Sequence, residues 1–124
     1  MLEPGLKAAV ELTVTEADTA IAVGSGDVPV LATPRVLALM EEAAVKSLEG
    51  RLEPGQTTVG ISADLRHLAP TPVGGLVRAE ARLIVAEGRN LGFEISLRDA
   101  SGSEVATAHH RRSVVDRERF LSRL

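Results

Sequence analysis

The chain has 124 residues, a formal net charge of −3 and no cysteine. This length predicts one domain, residues 1–124, that is large enough to bury an ordinary hydrophobic core. Without cysteine, disulfides, thiolate nucleophiles and cysteine metal sites are excluded. The acidic balance and the presence of only two aromatic residues argue against nucleic acid and anionic membranes as main partners.

The N-terminus and the apolar runs of the chain bear on where the protein works. The first residues have neither the basic region nor the apolar run of a signal peptide. No stretch reaches the roughly 18 apolar residues of a membrane span, so we expect a cytoplasmic protein. A single Asn and a single Gln beside 25% charged residues favour a thermophilic source.

In chain order, the N-terminal part predicts two strands and one long helix. Apolar and polar residues alternate over residues 6–14, which indicates a half-buried strand. Residues 19–23 are predicted as a second, short strand that the glycines of residues 24–27 interrupt. The long helix is predicted over residues 34–49, with Thr33 as its N-cap, Pro34 at its first position and Gly50 after its end.

The remaining chain predicts a meander of strands over residues 57–68, 76–86, 91–99 and 104–115, then a short polar helix within residues 116–124. Because the connections are short, neighbouring strands should pair antiparallel. The predicted fold class is α+β, with one long central helix packed on a curved antiparallel sheet. One helix leaves part of such a sheet uncovered, so we expect a homodimer. Leu39, on the otherwise polar side of the helix, is a hint of that second contact.

One acid and one histidine stand out in this pattern. Glu41 lies at the margin of the apolar stripe of the helix, beside Leu37 and Leu48. Alternation along the following strand places His67 on the inward face, which it is predicted to share with Val59, Ile61, Ala63 and Leu65. A carboxyl group and an imidazole on the core side can perform acid/base chemistry.

Several motifs resemble the hot-dog-fold thioesterases related to fluoroacetyl-CoA thioesterase. The likeness runs from about Pro29 to Phe120 and shows in Leu39-Met40-Glu41, Leu52-Glu53-Pro54-Gly55, Val59-Gly60, His67 with Ala69-Pro70-Thr71-Pro72, Val85-Ala86-Glu87-Gly88-Arg89, and His110-x-Arg112. The catalytic Thr, Glu and His of that family match Thr33, Glu41 and His67, at spacings of 8 and 26 residues. The resemblance implies hydrolysis of an acyl-CoA thioester, with no metal or redox cofactor and with coenzyme A only as part of the substrate.

The chain departs from this family in the segment before the helix. Fluoroacetyl-selective members carry aromatic residues there, which form a lid on the acyl pocket. Residues 23–28 of this chain contain no aromatic residue. We therefore predict a small or short acyl group as the substrate and do not extend the selectivity for a fluorinated substrate to this chain.

Three matched residues leave the division of roles open. His67 is the candidate proton shuttle, because an unperturbed histidine titrates near neutral pH. Glu41 could orient His67, activate a water or attack the carbonyl, and Thr33 could be the nucleophile or hold the substrate or a water. Eight helical residues rise about 12 Å, which excludes a direct Thr33–Glu41 hydrogen bond along a straight helix. Either the chain before Pro34 folds back, or His67 bridges the two, or a second protomer completes the site.

Other polar positions have both a functional and a structural interpretation. Gly60 could let the backbone approach the substrate, or simply mark a bulge. Arg112, with Arg66 and Arg111, could bind the phosphates of coenzyme A, or be solvated on outward faces. His109 and His110 are neighbours on a strand and point to opposite faces, so they cannot pair as metal ligands.

Two other functions compete with the thioesterase. A non-catalytic acyl-CoA or small-acid binding protein on the same fold would keep these residues without turnover. The hydratase/dehydratase class needs an Asp and a His close together, but alternation sends Asp64 and His67 to opposite faces. The sequence leaves open whether coenzyme A or an acyl carrier protein carries the acyl group.

Overall fold

The computed structural model describes residues 2–124 as one antiparallel sheet with one long helix packed on it. The five strands are β1 (Lys7–Thr13), β2 (Gln56–His67), β3 (Leu76–Glu87), β4 (Asn90–Asp99) and β5 (Glu104–Asp116). The helices are α1 (Ala20–Val23), α2 (Thr33–Ser47) and α3 (Arg117–Leu121), and Glu16–Asp18 forms a single 3₁₀ turn. The strand order is β1-β3-β4-β5-β2, and every neighbouring pair is antiparallel. The predicted α+β hot-dog architecture is confirmed.

Helix α2 buries its apolar stripe mainly against β1 and β3. The alternating apolar residues of β3 and β4 face it, and Leu83, Phe93 and Leu97 are almost completely buried. Leu39 is also buried in this core, at 1% exposure. Its predicted role as a contact on the outside of the helix is therefore wrong.

Two local predictions in the N-terminal part are wrong as well. Residues 20–23 form a helical turn instead of a strand, because the Thr19 hydroxyl accepts a hydrogen bond from the Ala22 N–H and Gly24 ends the turn at a positive φ of 85°. Thr33 does not cap α2: the N-cap is Ala32, and Thr33 is the first helical residue. The Thr33 hydroxyl is thereby free for another contact.

A bulge in β2 shifts the phase of the strand. The β2–β5 pairing passes from Gly60↔Arg112 directly to Ser62↔Arg111, so Ile61 is an extra residue. After the bulge, Leu65 and His67 pair with buried β5 residues and face inward as predicted. Before the bulge, Gly60 faces inward, and Val59 and Ile61 do not, so the predicted face is wrong for those two residues.

Strand β2 is the edge of the sheet and is little covered by α2. Its middle residues are exposed, and Ile61 and Leu68 are exposed at 55% and 57%. Edge strands of this length in soluble proteins are commonly covered or paired. None of the helices within residues 2–124 has the length and apolar composition needed to cross a membrane.

Candidate functional site

The first cluster of predicted site residues joins the start of α2 to the end of β2. The Thr33 hydroxyl and His67 Nδ1 are 2.8 Å apart, within hydrogen-bond distance. Thr33 can make this contact because Ala32, and not Thr33, is the N-cap of the helix. The sequence treated Thr33 and His67 as separate members of a site, and the structure brings them into direct contact.

The environment of His67 favours its neutral form. Burial of the ring lowers the pKa of His67 below its ordinary value, and a backbone contact at Ala69 offsets this only in part. The other ring nitrogen, Nε2, is buried and has no hydrogen-bond partner within residues 2–124. A neutral imidazole next to a hydroxyl can accept the hydroxyl proton.

A pocket of about 350 Å³ opens beside this pair. Its walls come from Ala20, residues 25–28, residues 30–33 and residues 67–70. Val28 and Leu68 are half exposed in this wall and provide apolar surface. Residues 25–28, from the segment before α2, are therefore part of the pocket, and none of them is aromatic.

The second cluster surrounds Glu41, two helical turns further along α2. Arg112 NH1 donates a hydrogen bond to Glu41 Oε2 at 3.1 Å. Arg112 also donates from Nε to the Thr58 hydroxyl at 3.0 Å and from NH2 to the Thr58 carbonyl at 3.2 Å. Since Arg112 is 7% exposed and its donors point inward, it holds the Glu41 carboxylate rather than facing solvent.

His110 completes this second cluster from the inward-facing position of β5 two residues before Arg112. Its Nδ1 lies 2.8 Å from the Ser62 carbonyl, which can only accept, so Nδ1 carries the proton. Nε2 is then the acceptor for Arg112 NH1, at 3.1 Å. Burial, together with the positive charge of Arg112, lowers the pKa of His110, although the Ser62 contact and Glu41 raise it. A neutral His110 therefore accepts a hydrogen bond from Arg112 and helps to hold its guanidinium group beside Glu41.

The absence of a side chain at Gly60 leaves room for the Glu41 carboxylate. A Cβ atom at position 60 would lie 2.7 Å from Glu41 Oε2 and 3.4 Å from Arg112 NH1. Only glycine fits at this distance without moving the carboxylate. The bulge explains the placement, because it turns position 60 toward the helix. Both interpretations of Gly60, a bulge and a close approach, thus apply to one residue.

The two clusters lie apart within one chain. Glu41 contacts the strand at Gly60, and His67 is seven residues further along β2, which corresponds to roughly 20 Å. The chain does not fold back before Pro34, and His67 does not bridge Thr33 to Glu41. Of the three arrangements that the sequence left open, the two that need only one chain are therefore not observed.

The structure assigns the other predicted residues to different surroundings. His109 is exposed and His110 is buried, as alternation predicted. Arg66 and Arg111 are exposed, but Arg112 is interior, so outward solvation is wrong for Arg112. The support of Glu41 by His110 was missed. Its signal was the inward position that the motif His110-x-Arg112 gives to both residues. Within residues 2–124, no group of three His, Cys, Asp or Glu side chains is arranged to hold a metal.

Comparisons with known proteins find one matching family model and several similar proteins. The family model described as fluoroacetyl-CoA-specific thioesterase matches residues 14–118. The fluoroacetyl-CoA thioesterase of Streptantibioticus cattleyicolor is 35% identical over 95 residues, which cover 77% of this chain and 68% of that protein. A solved structure of a mutant of that type of thioesterase, FlK, in complex with acetyl-CoA has a TM-score of 0.91 at 27% identity, covering 98% of this chain and 96% of the other. A Thermus thermophilus thioesterase superfamily member has a TM-score of 0.89 at 25% identity, covering 97% and 88%.

Proposed function

Because the chain belongs to the fluoroacetyl-CoA-specific thioesterase family, whose members are thioester hydrolases, we propose that it hydrolyses a small or short-chain acyl-CoA to the free acid and coenzyme A. The observation that carries this proposal is the 2.8 Å contact between the Thr33 hydroxyl and the neutral His67 beside a pocket of about 350 Å³. Residues 25–28 in the wall of that pocket include no aromatic residue, so the acyl preference should not depend on a fluorine atom.

A homodimer built on the free edge of β2 would unite the two clusters. Identical edge strands pair antiparallel around a two-fold axis. If the axis passes through Asp64, the extra residue Ile61 brings His67 opposite the partner's Gly60, with both positions facing inward, and the partner's Glu41 comes next to His67. The exposed middle of β2, with Ile61 at 55% exposure, supports this pairing. Each dimer then holds two composite sites.

In such a composite site, the acid/base pair is His67 with the partner's Glu41, and Thr33 assists. Water attacks the carbonyl carbon and gives a proton to the carboxylate. The C–S bond then breaks, and the proton that the carboxylate took from water passes through His67 and Thr33 to the thiolate, which restores the Glu41 carboxylate. Because a thiol has an ordinary pKa of about 8.5, the thiolate leaves readily, and most of the barrier lies in nucleophile activation and oxyanion stabilisation. Backbone N–H groups at the start of α2 and beside the partner's Gly60 are the candidate oxyanion donors.

The first test is a panel of acyl-CoA thioesters from acetyl to palmitoyl, with fluoroacetyl, followed by release of free thiol. Glu41→Gln and His67→Ala should each lower kcat by on the order of 10²-fold or more in a folded protein. Glu42→Gln and His109→Ala are the matched controls, since both residues are exposed, and should retain activity. Turnover of no panel member by the wild type would favour the binding-protein function instead.

The second test addresses the shared site. An equal mixture of Glu41→Gln and His67→Ala protomers forms hybrids in which one of the two sites has both groups intact. The mixture should recover about one quarter of wild-type activity after subunit exchange. No recovery in exchanged hybrids would reject the cross-protomer pair. If mass spectrometry finds an acyl group covalently bound to Thr33 in the trapped enzyme, the nucleophile is the Thr33 hydroxyl and not water.

A further inference from the structure

A second pocket, of about 270 Å³, lies at the far end of β5 and has no part in the acid/base site. It is lined by Arg89, Val115, Asp116, Arg119, Phe120 and Arg123. The three arginines come from the β3–β4 turn and from the C-terminal segment that contains α3. The motif Val85-Ala86-Glu87-Gly88-Arg89, one of those that carry the family resemblance, thus ends at this pocket.

The pocket concentrates positive charge without a matching acid. Within residues 2–124, no carboxylate oxygen lies within 4.0 Å of a guanidinium nitrogen of Arg89, Arg119 or Arg123. The one acid in the lining, Asp116, accepts a hydrogen bond from the Arg119 backbone N–H at 2.9 Å and so faces the start of α3. The Arg89 guanidinium makes only one hydrogen bond, a long one of 3.5 Å to the Val114 carbonyl.

Arginine side chains that line one pocket repel each other and favour an anion with several oxygens. Arginine matches the geometry of phosphate oxygens through parallel N–H donors. Phe120 adds a 39% exposed aromatic ring in the same pocket, whereas the other phenylalanine, Phe93, is buried. Cations beside an exposed ring are suited to a phosphorylated nucleotide, because the ring stacks on a base while the arginines bind the phosphates.

The position of the pocket connects it to the proposed composite site. Val115 is three residues beyond Arg112 on β5, or about 10 Å along the strand, and Arg112 holds Glu41. In the proposed dimer, this end of β5 lies on the side of the partner's residues that follow the partner's His67. A thioester at the composite site could therefore extend its pantetheine arm toward the arginines.

From this geometry we infer that Arg89, Arg119, Arg123 and Phe120 bind the adenosine 3′-phosphate diphosphate end of acyl-CoA. This inference rests on the proposed function for the identity of the substrate. The inference also distinguishes between the two acyl carriers. A pocket that binds the nucleotide of coenzyme A favours acyl-CoA over an acylated acyl carrier protein, which lacks the adenosine group.

The test compares acyl-CoA, acyl-dephospho-CoA and acyl-pantetheine on the wild type and on an Arg119→Gln/Arg123→Gln variant. The variant should raise KM for acyl-CoA about tenfold or more, with kcat unchanged, since charged hydrogen bonds to phosphate are lost. KM for acyl-pantetheine should be the same in both proteins. Arg117→Gln is the matched control, because Arg117 is exposed on the same helix and lies outside the pocket lining.

Equal changes for acyl-CoA and acyl-pantetheine, or no change for either, would overturn the inference. Calorimetric binding of adenosine 3′,5′-diphosphate separates it from the proposed function. If the wild type hydrolyses no thioester but binds this nucleotide, and the double variant does not, the pocket assignment stands while the hydrolase proposal fails. Binding of inorganic phosphate as tightly as the nucleotide would identify a simple phosphate site and reject the role of Phe120.

Discussion

Replacing Gly60 by alanine should lower kcat while leaving the free energy of unfolding nearly unchanged. The added Cβ would lie 2.7 Å from Glu41 Oε2, whereas ordinary contact begins at 3.4 Å, so the carboxylate must move by at least 0.7 Å. Glu41 can move, because its side chain is 39% exposed. Movement weakens its 3.1 Å hydrogen bond from Arg112 and shifts it in the proposed site. A displacement of this size lowers kcat by on the order of 10²-fold.

Folding should hardly respond to the same change. Alanine in a strand gains up to about 1 kcal/mol over glycine through the lower entropy of the unfolded chain, which offsets the contact with a flexible side chain. Thiol release gives kcat, and urea unfolding gives the free energy of unfolding. Gly92→Ala is the control: its Cβ would press on the Val85 side chain at 3.2 Å, away from Glu41, so its kcat should be unchanged.

The double variant Gly60→Ala/Glu41→Asp tests the cause. A shorter carboxylate leaves room for the Cβ, so the combined loss of kcat should be smaller than the sum of the two single losses on a free-energy scale. Wild-type kcat in Gly60→Ala would refute the reasoning. So would a loss that follows the unfolded fraction, because the effect would then belong to stability and not to the carboxylate.

Three further predictions follow from titration, an ion pair and the free strand edge. The acidic limb of kcat/KM should lie below pH 6.5, because burial lowers the pKa of His67 and the neutral imidazole is the active form; a limb at or above that pH in the pH–rate profile would contradict it. Asp18→Asn should lower the free energy of unfolding by about 1–3 kcal/mol at neutral pH, since Asp18 accepts hydrogen bonds from Thr15 and Arg35. Although burial raises the pKa of Asp18, those hydrogen bonds lower the pKa below 3.8 overall. The stabilisation by the Asp18 carboxylate is therefore present above pH 3.8 and is lost as the pH falls through the pKa of the folded state. In urea unfolding at acidic pH, the free energy of unfolding should depend less on pH in the variant than in the wild type. Ala63→Arg should yield monomers with little activity by light scattering and thiol release, because each introduced arginine would be forced against the partner's Leu65 beside the proposed axis; an active dimer would reject that axis.

The strand framework could be read from the sequence because alternation and turn residues carry it locally. The strand predicted over residues 91–99 is observed at Asn90–Asp99, and the others agree within one or two residues. Residues 19–23 were misassigned because the segment is too short for either period to show. Capping by Thr19 and the left-handed Gly24 decide it instead.

The site was predictable in its residue types and not in its connections. Neither the Thr33–His67 contact nor the separation of Glu41 from His67 follows from spacing, because both depend on where α2 crosses the sheet. The ion pair between Glu41 and Arg112 joins residues 71 positions apart and needs the register of β2 on β5. A single sequence does not contain that register, and the extra residue at Ile61 leaves the local alternation looking regular.

That extra residue decides which side chains of β2 share a face of the sheet. Positions 60 and 67 differ by an odd number, so in an uninterrupted strand their side chains would look out on opposite sides of the sheet. One inserted residue makes the count even and lets both positions look into the interior. Deleting Ile61 would leave the composition of the protein almost untouched and yet invert half of the strand. Either the glycine beside the carboxylate or the imidazole beside the threonine would then be turned out into solvent.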